Sequence, residues 1–179
     1  MDDFLIDGDI LTKYNGSGGE VVIPDGIWQI DPQAFAGCTG LTKITIPEGV
    51  GRIEREAFCG CTALTEVILP DSVWDIDSFA FADCTSLKRV VLPQRLTELP
   101  GKVFSGCKAL EDVTLPDGLD FIGAEAFRRC PSLKSITIPA SVTGINDCAF
   151  DEEIEISGAF ASVAYWYAIA NGNDFDMAE

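Results

Sequence analysis

The sequence predicts an α/β-type solenoid with one short parallel strand per 23-residue turn, a β-hairpin cap at its start and a helical cap at its end. Three observations predict it. First, a block running from Ala34 to Pro47 returns every 23 residues without an insertion. Its phenylalanine, Phe35, recurs as Phe58, Phe81, Phe104, Phe127 and Phe150, and its cysteine, Cys38, as Cys61, Cys84, Cys107 and Cys130. Leu41 recurs as Leu64, Leu87, Leu110 and Leu133, and Pro47 as Pro70, Pro93, Pro116 and Pro139, with Pro24 one period upstream. Self-similarity at a period of about 20 to 50 residues marks a stack of identical supersecondary units. Second, each unit contains an apolar alternation of period two that ends on the proline. Third, 47% of the residues are hydrophobic and 23% charged, a composition that folds rather than stays disordered.

The opening cap spans residues 1–30. Phe4-Leu5-Ile6 and Ile10-Leu11 flank Asp7-Gly8-Asp9, a turn signal between two short strands, and so predict a hairpin. Asn15-Gly16-Ser17-Gly18-Gly19 is a second turn. Val21-Val22-Ile23-Pro24 then supplies the first solenoid strand, with Ile27 and Ile30 on the return side. A cap is required because the first coil otherwise leaves an apolar edge open.

Five repeats follow at 31–53, 54–76, 77–99, 100–122 and 123–145. In each, a pair such as Ile44 and Ile46 around Thr45 places one strand face inward. Proline cannot donate to a ladder, so it ends every strand at the same point. Stacking at strand spacing, about 4.8 Å, yields the parallel sheet. The return side carries Val50 and Ile53, then Ala57-Phe58, with Val73/Ile76/Phe81 and Val142/Ile145/Phe150 as equivalents, and these columns must face inward against the sheet. Local departures are Leu99-Pro100 in place of the usual Ile-Asp or Ile-Glu junction, Val103 for the alanine before phenylalanine, and Pro131 for Thr39.

Residues 146–179 hold a shortened unit, with Ala149-Phe150 and then Ile154-Glu155-Ile156, followed by the closing cap. Ser162 as N-cap and Gly172 as the residue past the end predict a helix over 163–171. Ala164, Tyr165, Ala168 and Ile169 make it apolar all round. It should therefore be covered on every side, either by the tail from Asn173 to Glu179 or by a second copy of the chain.

The motif Ala-Phe-x-x-Cys-x-x-Leu-x-x-Ile-x-Ile-Pro, present five times with a sixth incomplete copy, resembles the BspA-like (Treponema pallidum-type) subtype of leucine-rich repeat. The resemblance extends over roughly residues 4 to 176. The Gly8–Tyr14 stretch is similar to the way such chains often begin, and the helix after Ser162 to the way they close. It implies a right-handed solenoid and a binding or adhesion module of the bacterial cell surface. The chain as written opens Met1-Asp2-Asp3-Phe4 without a basic or apolar leader pattern, which by itself reads as cytoplasmic. Surface display and cytoplasmic residence stand as competing expectations.

A formal charge of −17 disfavours nucleic acid and anionic membrane partners, which select basic surfaces. No apolar run reaches the length of a membrane span. The acidity sits at the ends. Residues 43–134 hold 14 acidic and 11 basic side chains, residues 1–42 seven acids with Lys13, and residues 135–179 eight acids with no Lys or Arg. Catalysis is disfavoured: without a histidine, neither Ser-His nor Cys-His activation is available. No cofactor motif or zinc spacing appears, Cys59-Gly60-Cys61 being the one close cysteine pair. The cysteine column reads as small apolar filling of a tight corner. Seven cysteines do not make a complete disulfide framework. Off that column lie Cys59 and Cys148, with Cys59 expected to be the more reactive.

Three surfaces are candidates for binding. On the sheet face, Thr45, Ile68, Val91 and Thr114 point outward beside Lys43, Glu66, Arg89 and Asp112, giving an apolar centre with a charged rim. A protein or glycan is the expected ligand, although β-branched residues also serve strand stability alone. On the return side, Trp28 and Trp74 occupy one column with Gly51 between them, and Phe79 and Phe121 occupy neighbouring columns as a secondary aromatic patch. At the closing end, Tyr165, Trp166 and Ile169 are candidate contacts of a homodimer.

Overall fold

The computed structural model describes residues 3–159 and 161–177. Phe160 and the last two residues of the tail lie outside the described residues, as does the Met1-Asp2 start. The opening hairpin pairs β1 (Phe4–Asp7) with β2 (Ile10–Tyr14) antiparallel, and β3 (Gly19–Val22) begins the sheet.

From there each coil contributes a sheet strand and a return strand of two residues, so the return side carries a ladder beyond the one strand per turn that the motif predicts. In chain order these are β4 (Gln29–Ile30), β5 (Leu41–Thr45), β6 (Arg52–Ile53), β7 (Glu66–Ile68), β8 (Asp75–Ile76), β9 (Arg89–Val91), β10 (Glu98–Leu99), β11 (Asp112–Thr114), β12 (Phe121–Ile122), β13 (Ser135–Thr137) and β14 (Gly144–Ile145). The shortened unit gives β15 (Glu155–Gly158), followed by α1 (Val163–Asn171) and β16 (Phe175–Met177). All pairings after the hairpin are parallel and join residues one coil apart.

The inward residues are those the alternation selects. Leu41, Ile44 and Ile46 are buried while Thr45 is exposed, and the equivalents follow suit except for Val91 and Val113, which are both half-buried. From Pro47 to Pro139 each strand-ending proline also starts the next turn, its carbonyl accepting from the residue three further on, as in Pro70 from Val73 at 3.0 Å.

The corner between return strand and sheet is the most regular part. Phe35, Phe58, Phe81, Phe104, Phe127 and Phe150 stack ring on ring, with centroids 4.8 to 5.6 Å apart. The column does not stop at the repeats. Tyr14 takes the phenylalanine position of the opening cap, 5.0 Å from Phe35, and Tyr167 of α1 meets Phe150 edge-on at 5.7 Å. Along the column each phenylalanine N–H donates to the residue before the next phenylalanine, for example Phe127 to the Ala149 carbonyl at 2.8 Å. At the last coil the Tyr167 hydroxyl accepts from Phe150 N–H at 3.4 Å, standing in for the carbonyl that a further coil would supply. Each stacked pair contributes about 0.5–1.5 kcal/mol beyond the area it buries.

The cysteines make a second ladder beside the first. Cys61, Cys84, Cys107 and Cys130 each donate Sγ–H to a phenylalanine carbonyl of the previous coil at 3.2 Å, from Phe35 through Phe104. All seven cysteines are free.

One feature of the turns carries no sequence signal. Gln33, Glu56, Phe79, Lys102, Glu125 and Cys148 occupy one register and all have φ between 56° and 62°. This left-handed conformation normally draws glycine, or asparagine and aspartate, yet none of these six residues is among them. Their side chains touch along the ridge. Gln33 donates to Glu56 at 2.7 Å, Lys102 pairs with Glu125 at 3.4 Å, and Phe79 lies between Arg55 and Lys102.

The helix falls on 163–171 with Ser162 accepting from Tyr165 N–H and Gly172 at φ 75°, the predicted caps. Of the two coverings expected for it, the tail supplies only a part. Ala164, Tyr167 and Ala168 face inward, so the outer face is formed by Trp166, Ile169 and Ala170. The tail reaches Tyr165 through Phe175 at 5.3 Å, but it continues as β16 on the sheet edge, pairing with β15, and leaves Trp166 60% exposed. Backbone pairing of the tail takes precedence over wrapping the helix.

Candidate recognition surface

The sheet face presents its residues in two rows fixed by strand register. One row runs Val22, Thr45, then Ile68, Val91, Thr114, and the other Glu20, Lys43, then Glu66, Arg89, Asp112. The predicted contact residues thus fall side by side. Ile68 is 57% exposed, as the pattern requires, while Val91 is half-buried between its neighbours. Arg89 pairs with Asp112 at 3.4 Å, both well exposed, so the pair has little value for stability and leaves the groups accessible. Val22, 65% exposed in the same row, escaped the sequence reading. Counting two periods of 23 back from Ile68 finds it.

The face is not one continuous ladder. Hydrogen-bonded pairing groups β3 with β5, β7 with β9 and β11, and β13 with β15 and β16, leaving seams between β5 and β7 and between β11 and β13. A shallow recess lies over each of these strand pairs. The first, about 320 Å³, is bordered by Lys43, Thr45, Glu48, Glu66 and Ile68. The second, about 460 Å³, is bordered by Glu111, Asp112, Thr114, Asp117 and Thr137. The first combines an apolar floor with both signs of charge, while the second is acidic.

On the return flank two of the predicted aromatics, Trp28 and Trp74, meet over one glycine. Trp28 and Trp74 flank Gly51, where a Cβ would lie 2.8 Å from Trp74 Nε1. Phe121 lies against Gly144 in the same way, at 2.7 Å from a would-be Cβ, and Phe79 is held between two cations elsewhere. Glycine in one coil makes room for a large ring in the adjoining one, and Trp28 and Trp74 converge on the same glycine. Trp74 is 48% exposed and borders a recess of about 480 Å³ with Arg52, Asp75, Asp77, Thr97 and Glu98.

The thiols offer little chemistry. Burial pushes Cys61 and Cys130 up to about 12, and Cys84 and Cys107 well above the ordinary thiol range. Cys59 is raised as well, by burial first and then by Asp83 and Glu56, which suppresses its thiolate. Cys148 is the exposed thiol, the reverse of the expected order of reactivity. Among the described residues no cluster of three or more metal-ligating side chains occurs, and no helix is long and apolar enough to cross a membrane.

Comparison with known proteins returns one family and solved structures of the same repeat fold. Residues 19–157 match the model of the BspA type leucine-rich repeat region in six copies. A T. pallidum leucine-rich repeat protein superimposes with a TM-score of 0.72 at 30% identity, over 93% of this chain and 89% of that one. A leucine-rich cell surface protein from Faecalibacterium prausnitzii gives 0.73 at 31% identity, over 87% of this chain and 52% of that one. A leucine-rich repeat protein from Eubacterium ventriosum gives 0.63 at 32%, over 80% and 46%. The chain therefore spans about half the length of the latter two. No curated protein sequence matches it.

Proposed function

The chain belongs to the BspA-type leucine-rich repeat family, and on that premise we propose that it is a non-catalytic recognition module binding a protein or glycan through its sheet face. Repeats of this family commonly bind proteins and generally serve as non-enzymatic scaffolds. The observation that carries the reading is the aligned exposure of Val22 and Ile68 beside the β5–β7 recess. Single exposed apolar residues are ordinary on a surface. Here they share one register row with Thr45 between them and a rim of Lys43, Glu66 and Arg89. An apolar anchor ringed by charge favours a protein ligand over a saccharide on this face. The absence of histidine from the sequence supports a non-enzymatic role.

The test is a protein and glycan array probed with the wild type, Ile68→Asp and Arg89→Glu. Ligands held by the wild type and lost by both variants, with stability unchanged to within about 0.5 kcal/mol, support the reading. Ligands retained by both variants would move the site off the sheet face. The F. prausnitzii relative is described as a cell surface protein, which supports surface display for this chain. Protease shaving of intact cells would release the chain if so and spare it if it is cytoplasmic.

A second reading rests on the uncovered outer face of α1, where Trp166 and Ile169 are exposed. It is an assembly protein that dimerises through this helix. A mass that rises with concentration and returns to monomer in Trp166→Glu supports it, and a monomeric wild type ends it.

A further inference from the structure

We propose that the return flank carries a saccharide-binding recess, separate from the sheet face, walled by Trp74 and opened by Pro100. In the other coils the residue after the return strand donates its N–H to the return-strand carbonyl one coil back. Glu54 donates to Ile30 at 2.9 Å, Asp77 to Ile53 at 2.8 Å, Gly123 to Leu99 at 2.8 Å and Asn146 to Ile122 at 2.9 Å. At position 100 proline has no N–H, so the Ile76 carbonyl loses this donor. The return ladder divides at that place, between β8 and β10. The recess of about 480 Å³ lies across the division, within the volume range of small-ligand sites.

Its lining fits a sugar ring. A pyranose has an apolar C–H face and a rim of hydroxyl groups. Trp74 offers the flat apolar surface, and it is held in place: its indole edge lies on the backbone of Gly51 and the Arg52 guanidinium stands 5.9 Å from its ring. Asp75, Asp77, Thr97 and Glu98 place acceptors around it, and the division of the ladder adds a main-chain carbonyl. The charge selects within the class. Arg52 is already engaged by Asp75 at 2.9 Å and Glu54 at 3.2 Å, so the remaining field is that of carboxylates. Neutral sugars fit, and sialylated or sulfated ones are repelled.

The test uses the full chain, isotope-labelled, with the Trp74 indole N–H followed by NMR. Cellobiose, lactose and N,N′-diacetylchitobiose are the neutral probes and sialyllactose the anionic one. The expected result is a saturable shift with at least one neutral disaccharide and none with sialyllactose. For that disaccharide, Trp74→Ala weakens binding about tenfold, the scale of a lost aromatic contact. Glu98→Gln, an exposed change that leaves packing intact, weakens it several-fold. Ile68→Asp leaves it unaltered, which separates this site from the sheet face. A flat response to all three neutral sugars overturns the proposal, as does binding that survives both Trp74→Ala and Glu98→Gln, or a sialyllactose response stronger than that of lactose.

Discussion

The phenylalanine–cysteine corner and the two flanks of the solenoid are built from the same repeats and behave differently. At the corner the ring stack, the cysteine ladder and the main-chain bonds all pass from coil to coil without interruption, and tyrosines of both caps extend the stack. On the flanks the ladders divide, at β5–β7 and β11–β13 on the sheet and at β8–β10 on the return side, and a recess lies over each of these strand pairs. Cohesion is concentrated where side chains are identical in every coil. Candidate binding surfaces lie where they vary and the backbone is left partly unpaired. A solenoid whose stability is a sum over neighbouring coils can accommodate such divisions provided one column stays intact.

Breaking the corner should have the largest effect. Phe81→Ala removes a fully buried ring from the middle of the stack and should cost about 3–5 kcal/mol, read by denaturant unfolding. A loss below about 1 kcal/mol would mean the stack is not the main cohesive element. Cys84→Ala, at the same corner, removes a smaller buried group and a weak hydrogen bond, and should cost about 1–2 kcal/mol in the same assay.

The thiols also predict a pH dependence. A thiol is neutral when protonated, and burial raises Cys61 and Cys130 to about 12 in the folded state. The unfolded chain titrates them near about 8.5. Their contribution is therefore complete below about pH 8.5 and is lost as pH rises toward about 12. Cys61→Ala should show a shallower alkaline decline of stability than the wild type, and an equally steep one would contradict the assignment.

Changes on the flanks should matter least to stability. Pro100→Asp copies the junction residue of the preceding coil, Asp77, and supplies an N–H for the Ile76 carbonyl. The gain of about 1 kcal/mol from that bond is offset by the loss of the proline's restraint on the unfolded chain, about 0.4–1 kcal/mol. The net change should stay within about 1 kcal/mol, while the amide at position 100 becomes protected from exchange. Ile68→Asp should remain within about 0.5 kcal/mol.

Most of the architecture was legible because a strict period fixes register. Counting in steps of 23 from Phe35 and Ile44 gives the core columns and the outward rows, and Ser162 with Gly172 gives the helix ends. Less legible were features that depend on how coils meet. The left-handed column at Gln33, Glu56 and Phe79 contains no glycine to announce it. Tyr14 and Tyr167 lie outside the 23-residue phase, so their place in the aromatic stack follows only from the packed caps. The covering of α1 turned on competition between tail and sheet edge, which composition does not decide. Pro100 stood out in the sequence as a departure, but its consequence requires knowing that every other coil donates an N–H there. The sheet seams at β5–β7 and β11–β13 have no sequence signal, because the strand residues on both sides are ordinary β-formers.

Residue-resolved hydrogen exchange of the native chain tests the central contrast most directly. The account predicts that Phe58, Phe81 and Phe104 N–H, each donating to the next coil at 2.8 to 2.9 Å, exchange only through global unfolding. Amides facing the β5–β7, β8–β10 and β11–β13 divisions should exchange about tenfold faster or more, through local opening. Uniform protection along both flanks and the corner would contradict it.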